Sequence, residues 1–345
     1  MTRSPLSSRI VVLLAALAAG PSAPPQAADG DQAAPVPAAG SSVAVQVGDT
    51  PIFQSEVEAT VRRVAQGRVL DPERQARLTA ETVEQLVDER LLRREIEARQ
   101  ITVDEDEVTE IITRMRGQLA DRKIPLETFL AQSGRDETSL RNQIRLEIAL
   151  NKLLLPQLTS ASLDAAFAKH RRDLDGTLVR VSHIVLRPDP GRGAEALADL
   201  ERRAARLRTD ILQGSVSFAE AALRHSAGPS RKQGGDVGFF PRHGVMDEEF
   251  ARQSFALAKG EISKPFATAF GVHLVRVTDL KPGDVRPDTL RPQLEKLVVQ
   301  EAIREIVARG RQATPISYAP GIPHFAAADQ DGPAERRQIV TEPGP

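Results

Sequence analysis

Residues 178–186 read "LVRVSHIVL", and they decide what kind of fold the chain can hold. Upstream, from Gln54 to about Arg172, the apolar residues follow a helical period. Here Val179, Val181, His183 and Val185 alternate with a period of two. Side chains at i and i+2 share one face of a strand, so this alternation predicts a strand with one face buried. A second run, "GVHLVRV" (271–277), repeats the pattern with His273, Val275 and Val277 on one face. Between the two lie a helix from about Ala194 to Leu212, ended by Gly214, and a short helix from Phe218 to Leu223. A glycine-rich loop follows, then the helical "MDEEFARQSFAL", stopped by Lys259 and Gly260. The order β-α-α-loop-α-β predicts a compact α+β domain, with a small antiparallel sheet surrounded by helices.

Working outward, the flanks are helical. Val108, Ile111, Ile112, Met115 and Leu119 fall at i, i+3, i+4, i+7 and i+11, one stripe of an amphipathic helix. Val83, Leu86, Val87, Leu91 and Ile96 form another stripe. Pro125 suits a first helical turn, and Asp136 suits an N-cap. A short strand is expected in "VAVQVGDTPIF" (43–53). Beyond Pro282 a long helix carries Leu290, Leu294, Leu297, Val298 and Ile306, followed by a candidate strand in "TPISYAP" (314–320). The helical segments on either side of the α+β part are expected to pack together, leaving it inserted between them. The expected division is a signal peptide at 1–28, a disordered linker at 29–42, an N-terminal helical domain at 43–175 and the α+β domain at 176–281. A C-terminal helix and strand packing on the N-terminal domain (282–320) and a flexible tail (321–345) complete it.

The N-terminus has the form of an export signal. Arg3 and Arg9 precede the apolar "IVVLLAALAAG" (10–20), which is short for a membrane span, and small residues and prolines follow. Cleavage around Ala23 to Ala28 would release a protein that is periplasmic or otherwise exported, with no stable membrane anchor. The chain has 345 residues, with 46 Lys and Arg against 47 Asp and Glu, for a formal net charge of −1. That balance gives no basic footprint for nucleic acid. The absence of cysteine removes disulfides, thiolate nucleophiles and cysteine-held zinc. The histidines at 170, 183, 225, 243, 273 and 324 form no HExxH motif, "VDEDEV" (103–108) lacks the glycine of a calcium loop, and no GxSxG elbow occurs. "GGDVGFFPRHGVMDEEF" (234–250) is rich in glycine but has no Lys-Ser/Thr pair and no GxGxxG spacing, so a phosphate cradle is not supported. Its glycines instead suit positive φ in a tight turn, with the Phe pair as core. No cofactor or metal is called for. What remains is two histidines on strand faces otherwise made of valine.

With those residues in view, the segment from about Val179 to Leu280 resembles a parvulin-type peptidyl-prolyl cis/trans isomerase domain. "VSHIVL", "GGDVGFF", "FARQSFALAKGEISKPF" and "TAFGVHLVRV" match its signature stretches in order and near the family spacing. The flanks, with "LVDERLLRREIEARQITVDEDEV" (86–108), resemble the SurA/PrsA/PpiC group of exported foldases and chaperones. The resemblance implies that His183 and His273 are the paired histidines, with Thr268 in their hydrogen-bond network and Ser226 as the nearest polar neighbour. It implies a proline pocket lined by Val237, Met246 and Phe250 and supported by Phe240 and Phe255. The implied partners are unfolded or partly folded polypeptides containing X–Pro bonds. In one respect the chain departs from the family: many relatives carry an Asp or Cys facing the histidines where this sequence has Ala227 and Gly228. A holdase with a weakly active or inactive parvulin domain is the alternative. Only about seven residues separate Leu186 from Ala194, too few for the long basic loop of phosphate-selective relatives, so no phosphoserine preference is expected.

Overall fold

The computed structural model describes residues 42–65, 68–132, 135–187, 194–326 and 338–342. The expected signal peptide and nearly all of the expected linker lie outside these residues, as do 188–193 between Leu186 and Ala194. In chain order the elements begin with β1 (Val43–Val47), β2 (Thr50–Phe53), α1 (Gln54–Ala65), α2 (Pro72–Ala98), α3 (Glu105–Asp121), α4 (Leu126–Gln132), α5 (Glu137–Leu154) and α6 (Ser160–Leu174). They continue with β3 (Leu178–Leu186), α7 (Ala194–Leu212), α8 (Phe218–His225), β4 (Asp236–Pro241), α9 (Glu248–Phe255), β5 (Phe266–Thr268) and β6 (Gly271–Lys281). Then come α10 (Arg291–Ala313), β7 (Ile316–Tyr318), β8 (His324–Phe325) and β9 (Ile339–Val340). Two compact units result, one of Met1–Thr159 with Val298–Pro345 and one of Ser160–Leu297.

In the first unit β1 is the central strand of a three-stranded antiparallel sheet, paired with β2 on one side and β7 on the other. The inward valines of β1 meet α2 in a core of Val45, Val47, Ile52, Val83 and Val87, all essentially inaccessible to water. The 27-residue α2 begins where Asp71 accepts the Arg74 N–H and Pro72 occupies the first turn, where its missing N–H costs nothing. Two further clusters continue the core. Val108, Ile112, Leu126, Leu130, Leu140 and Ile144 join α3, α4 and α5, and Leu92, Ile96, Leu150, Leu153, Val299 and Ile306 join α2, α5 and the part of α10 from Val299 onward. The Asp136 carboxylate caps α5 by accepting the Ser139 N–H at 2.7 Å. Near the C-terminus Arg311 pairs with Glu84 and Asp88, and the Tyr318 ring stacks on buried His324 at 3.9 Å. Residues 324–325 and 339–340, expected within the flexible tail, pair as an antiparallel ribbon in which Phe325 is buried.

The second unit is built on a four-stranded antiparallel sheet in the order β4-β3-β6-β5. Alternation along β3 and β6 gives the sheet two apolar faces. Ile184, Leu186, Val272 and Leu274 face α7 and α8, where Leu200, Ala204, Phe218 and Ala221 cover them. Val179, Val181, Val275 and Val277 belong to the cluster that α9 covers with Phe250, Ala251 and Phe255. Two strands escape the sequence reading. The stretch expected as a loop after Gly235 is the edge strand β4, and the three-residue β5 forms the other edge. Glycine density hid β4: Gly238 adopts φ +77°, and the β3–β4 ladder shifts register between Arg180 and Ser182.

Candidate functional site

His183 on β3 and His273 on β6 are diagonal neighbours across the central ladder, where His183 pairs with Val275 and Val185 with His273. Their rings lie 6.0 Å apart at 26°, so the expected meeting of the two imidazoles inside a small sheet is realised. Phe250 presents itself edge-on to both, at 5.5 Å from His183 and 5.6 Å from His273. Phe266 stacks on the far side of His273 at 5.4 Å and 18°. Phe240 packs on Phe250 and Phe255, at 5.9 and 6.2 Å. Val237 and Met246 join the same cluster but stay partly exposed, and Val245 beside Met246 is 63% exposed. This side is where the cluster reaches solvent. The cleft of about 640 Å³ bordered by His170, Arg172, Asp173 and Arg252 meets the cluster only at Phe255 and Leu280.

The glycines of residues 234–238 shape this site from behind. The Gly235 carbonyl accepts the His183 N–H at 2.9 Å, and a Cβ at 235 would stand 2.4 Å from the His183 carbonyl oxygen. With φ +88° as well, the position admits only glycine. The turn is therefore pressed onto the strand at the residue that carries the first histidine. Strand alternation then splits the Phe pair. Phe240 enters the core at 1% exposure, while Phe239 faces the other way beneath the Lys281 Nζ, 4.2 Å from its ring. The expectation that both rings are core is corrected by this alternation.

Polar contacts to the histidines are few. Thr268 Oγ1 lies 2.8 Å from His273 Nε2 and accepts the Phe270 N–H. Neither nitrogen of His183 has a hydrogen-bond partner among the described residues, nor has His273 Nδ1. Ser226 does not serve the histidines as expected. Its buried Oγ accepts the backbone N–H groups of Val185 (3.2 Å) and Gly228 (3.1 Å), which fastens the loop to β3. Gly228 has an ordinary φ of −80°, so its backbone does not require glycine. Yet a Cβ there would sit 3.0 Å from His183 Nε2. Position 228 is thus the one facing the histidine, and here it offers no side chain. Burial lowers both histidine pKa values; that of His273 falls to about 4, with the neighbouring His183 and Arg187 adding to the effect. At neutral pH the site is an uncharged, mostly aromatic surface.

Phe266 was not singled out in the sequence; its alternation with Thr268, two residues on, was too short to read as a strand. Residues 183–279 match the model of the PPIC-type PPIase (rotamase) domain, and residues 10–154 match that of the SurA-like N-terminal domain. The chain carries a parvulin-type PPIase domain and a SurA-like N-terminal domain. The PPIase match begins at His183 itself and ends beyond His273, so it contains the whole histidine and phenylalanine cluster. Among curated relatives, the chaperone SurA of Vibrio cholerae is 28% identical over 253 residues, covering 70% of this chain and 57% of its own. The foldase protein PrsA of Bacillus subtilis is 27% identical over 238 residues, covering 67% and 72%. The crystal structure of PrsA from Bacillus anthracis aligns over 67% of this chain and 96% of its own, at 21% identity and a TM-score of 0.35. The chain spans little more than half the length of the Vibrio SurA it matches.

Proposed function

We propose that the chain is an exported peptidyl-prolyl cis/trans isomerase that assists the folding of secreted or outer-membrane proteins. The observation that carries this reading is the stacked His183–His273 pair with Phe250 edge-on to both rings, in an aromatic cluster that opens to solvent at Val237 and Met246. Rotation about an X–Pro bond meets a barrier of ~18–20 kcal/mol because twisting the amide destroys its resonance. No nucleophile or cofactor is needed to lower it. A proline ring held by Val237, Met246 and Phe250 stays fixed while the preceding carbonyl rotates. The planar, polar amide is poorly solvated in such surroundings, so the less polar twisted form is relatively favoured. Phe240 and Phe255 hold Phe250 in place, and Thr268 orients His273. The partners are unfolded or partly folded polypeptides with X–Pro bonds; no nucleic acid is involved, and no stable membrane anchor remains after signal cleavage. Among the described residues no helix is long and apolar enough to cross a membrane.

A second reading, a holdase with a weak parvulin domain, is favoured by one observation: Gly228 leaves His183 without a polar partner. A protease-coupled proline-peptide assay, run beside suppression of client aggregation, separates the two. Turnover above background supports the isomerase; suppression of aggregation without turnover leaves the holdase.

A further inference from the structure

We propose that Arg242 is a positioning residue for the proline pocket, acting through a bidentate clamp on Glu248; this rests on the isomerase reading of the site. Between the end of β4 and the start of α9 the chain makes one turn, from Arg242 to Glu248, with Gly244 at φ +84° and Met246 near its far end. Arg242 is 9% exposed, an unusual place for a guanidinium. Its Nη1 and Nη2 donate to Glu248 Oε2 and Oε1 at 3.0 and 2.6 Å, and its Nε lies 3.7 Å from Asp173 Oδ1. The hydrogen bonds from Arg242 hold the Glu248 carboxyl below its ordinary pKa, so it is ionised at neutral pH.

The fork joins the first and last residues of the turn and closes it into a ring. Inside that ring sits Met246, and two residues beyond Glu248, on the first turn of α9, sits Phe250. The clamp therefore sets the spacing between the Phe240 end of β4 and the Phe250 end of α9, with Met246 held between them. Lysine cannot reproduce this, because an ammonium is a point donor without the planar fork. Glu248 itself is largely exposed, and besides Arg242 it approaches only the exposed His243 of the same turn, at 3.8 Å.

The test titrates the full chain with a short proline peptide and measures Kd and turnover in wild type, Arg242→Lys, Glu248→Gln and the double variant. Methyl NMR of Met246 is read alongside, with Met115 as internal control. Each single variant is expected to weaken peptide affinity and kcat/KM by about tenfold. The double variant should lose no more than the worse single, since both remove one fork. The Met246 methyl signal should move while Met115 stays, and the melting temperature of Glu248→Gln should hold. Unchanged affinity in Glu248→Gln, or losses that add in the double variant, would overturn the proposal. Wild type that binds without turnover, with binding still clamp-dependent, would sink the isomerase reading and leave the clamp standing. Wild type that does not bind the peptide would remove both.

Discussion

At Gly235 one missing Cβ determines the geometry of the whole site. A methyl group there would press on the His183 carbonyl at 2.4 Å in a backbone region that disfavours side chains. Gly235→Ala should therefore destabilise the chain by at least ~1–3 kcal/mol, seen as a lower urea midpoint. An unchanged midpoint would mean the turn relaxes freely and is not pressed on the strand. The histidines make a second claim at this scale. Their folded pKa values lie below the unfolded value of about 6.5, and that of His273 is about 4. As pH falls below about 6.5 the unfolded chain takes up protons that the folded site refuses, so stability is complete above that value and is lost on the way to pH 4. Between about pH 6.5 and 5 ordinary carboxylates are still ionised in both states, while buried Glu84, whose pKa burial raises, acts in the opposite sense. In a Glu84→Gln background a falling urea midpoint in that window therefore reports the histidines, and a flat one contradicts their burial. Residue types gave this site away in part. Two histidines on valine-rich strands were legible, and the resemblance to the parvulin domain added Phe240, Phe250 and Phe255, while Phe266, stacked on His273, was missed by both. The duty of Ser226 was not, because a hydroxyl that accepts backbone N–H groups looks the same in sequence as one that faces an imidazole.

Among the elements, the long ones were legible and the short edge strands were not. β3 and β6 announce themselves by alternation over nine and eleven residues. β4 is interrupted by a positive-φ glycine and a shifted register, and β5 has three residues, so neither shows a period long enough to count. Both exist because β3 and β6 offer them unpaired edges, a tertiary cause that local sequence does not carry. The same logic applies to β8 and β9, where burial of Phe325 and the Tyr318–His324 stack order a segment that composition alone marks as loose. The short α8 shows the opposite case, a helix fixed by its ends. The Ser217 hydroxyl accepts the Glu220 N–H, while the Glu220 carboxylate accepts the Ser217 N–H at 3.0 Å. Ser217→Ala should cost ~1 kcal/mol, lowering the denaturation midpoint without changing its slope. A loss below a few tenths would show that packing of Ala221 and Ala222 under the sheet holds α8 without its cap.

At the scale of the whole molecule, the chain leaves and re-enters its first unit. β1 needs β7, and the α2 core needs Val299 and Ile306, so that unit is complete only once the C-terminal residues have returned to it. The PPIase unit lies between these two parts of the chain in sequence. On the mechanism proposed above, its chemistry rests on an uncharged apolar surface. Removing one apolar contact of that surface should then lower the rate without any change in charge or metal. The most direct measurement is exchange NMR of cis and trans X–Pro in a short peptide with catalytic amounts of the full chain, wild type and Met246→Ala. Wild type should exchange the two isomers faster than the free peptide, and Met246→Ala should lose most of that acceleration while keeping its fold. No acceleration by folded wild-type chain, or full acceleration by Met246→Ala, would contradict the account.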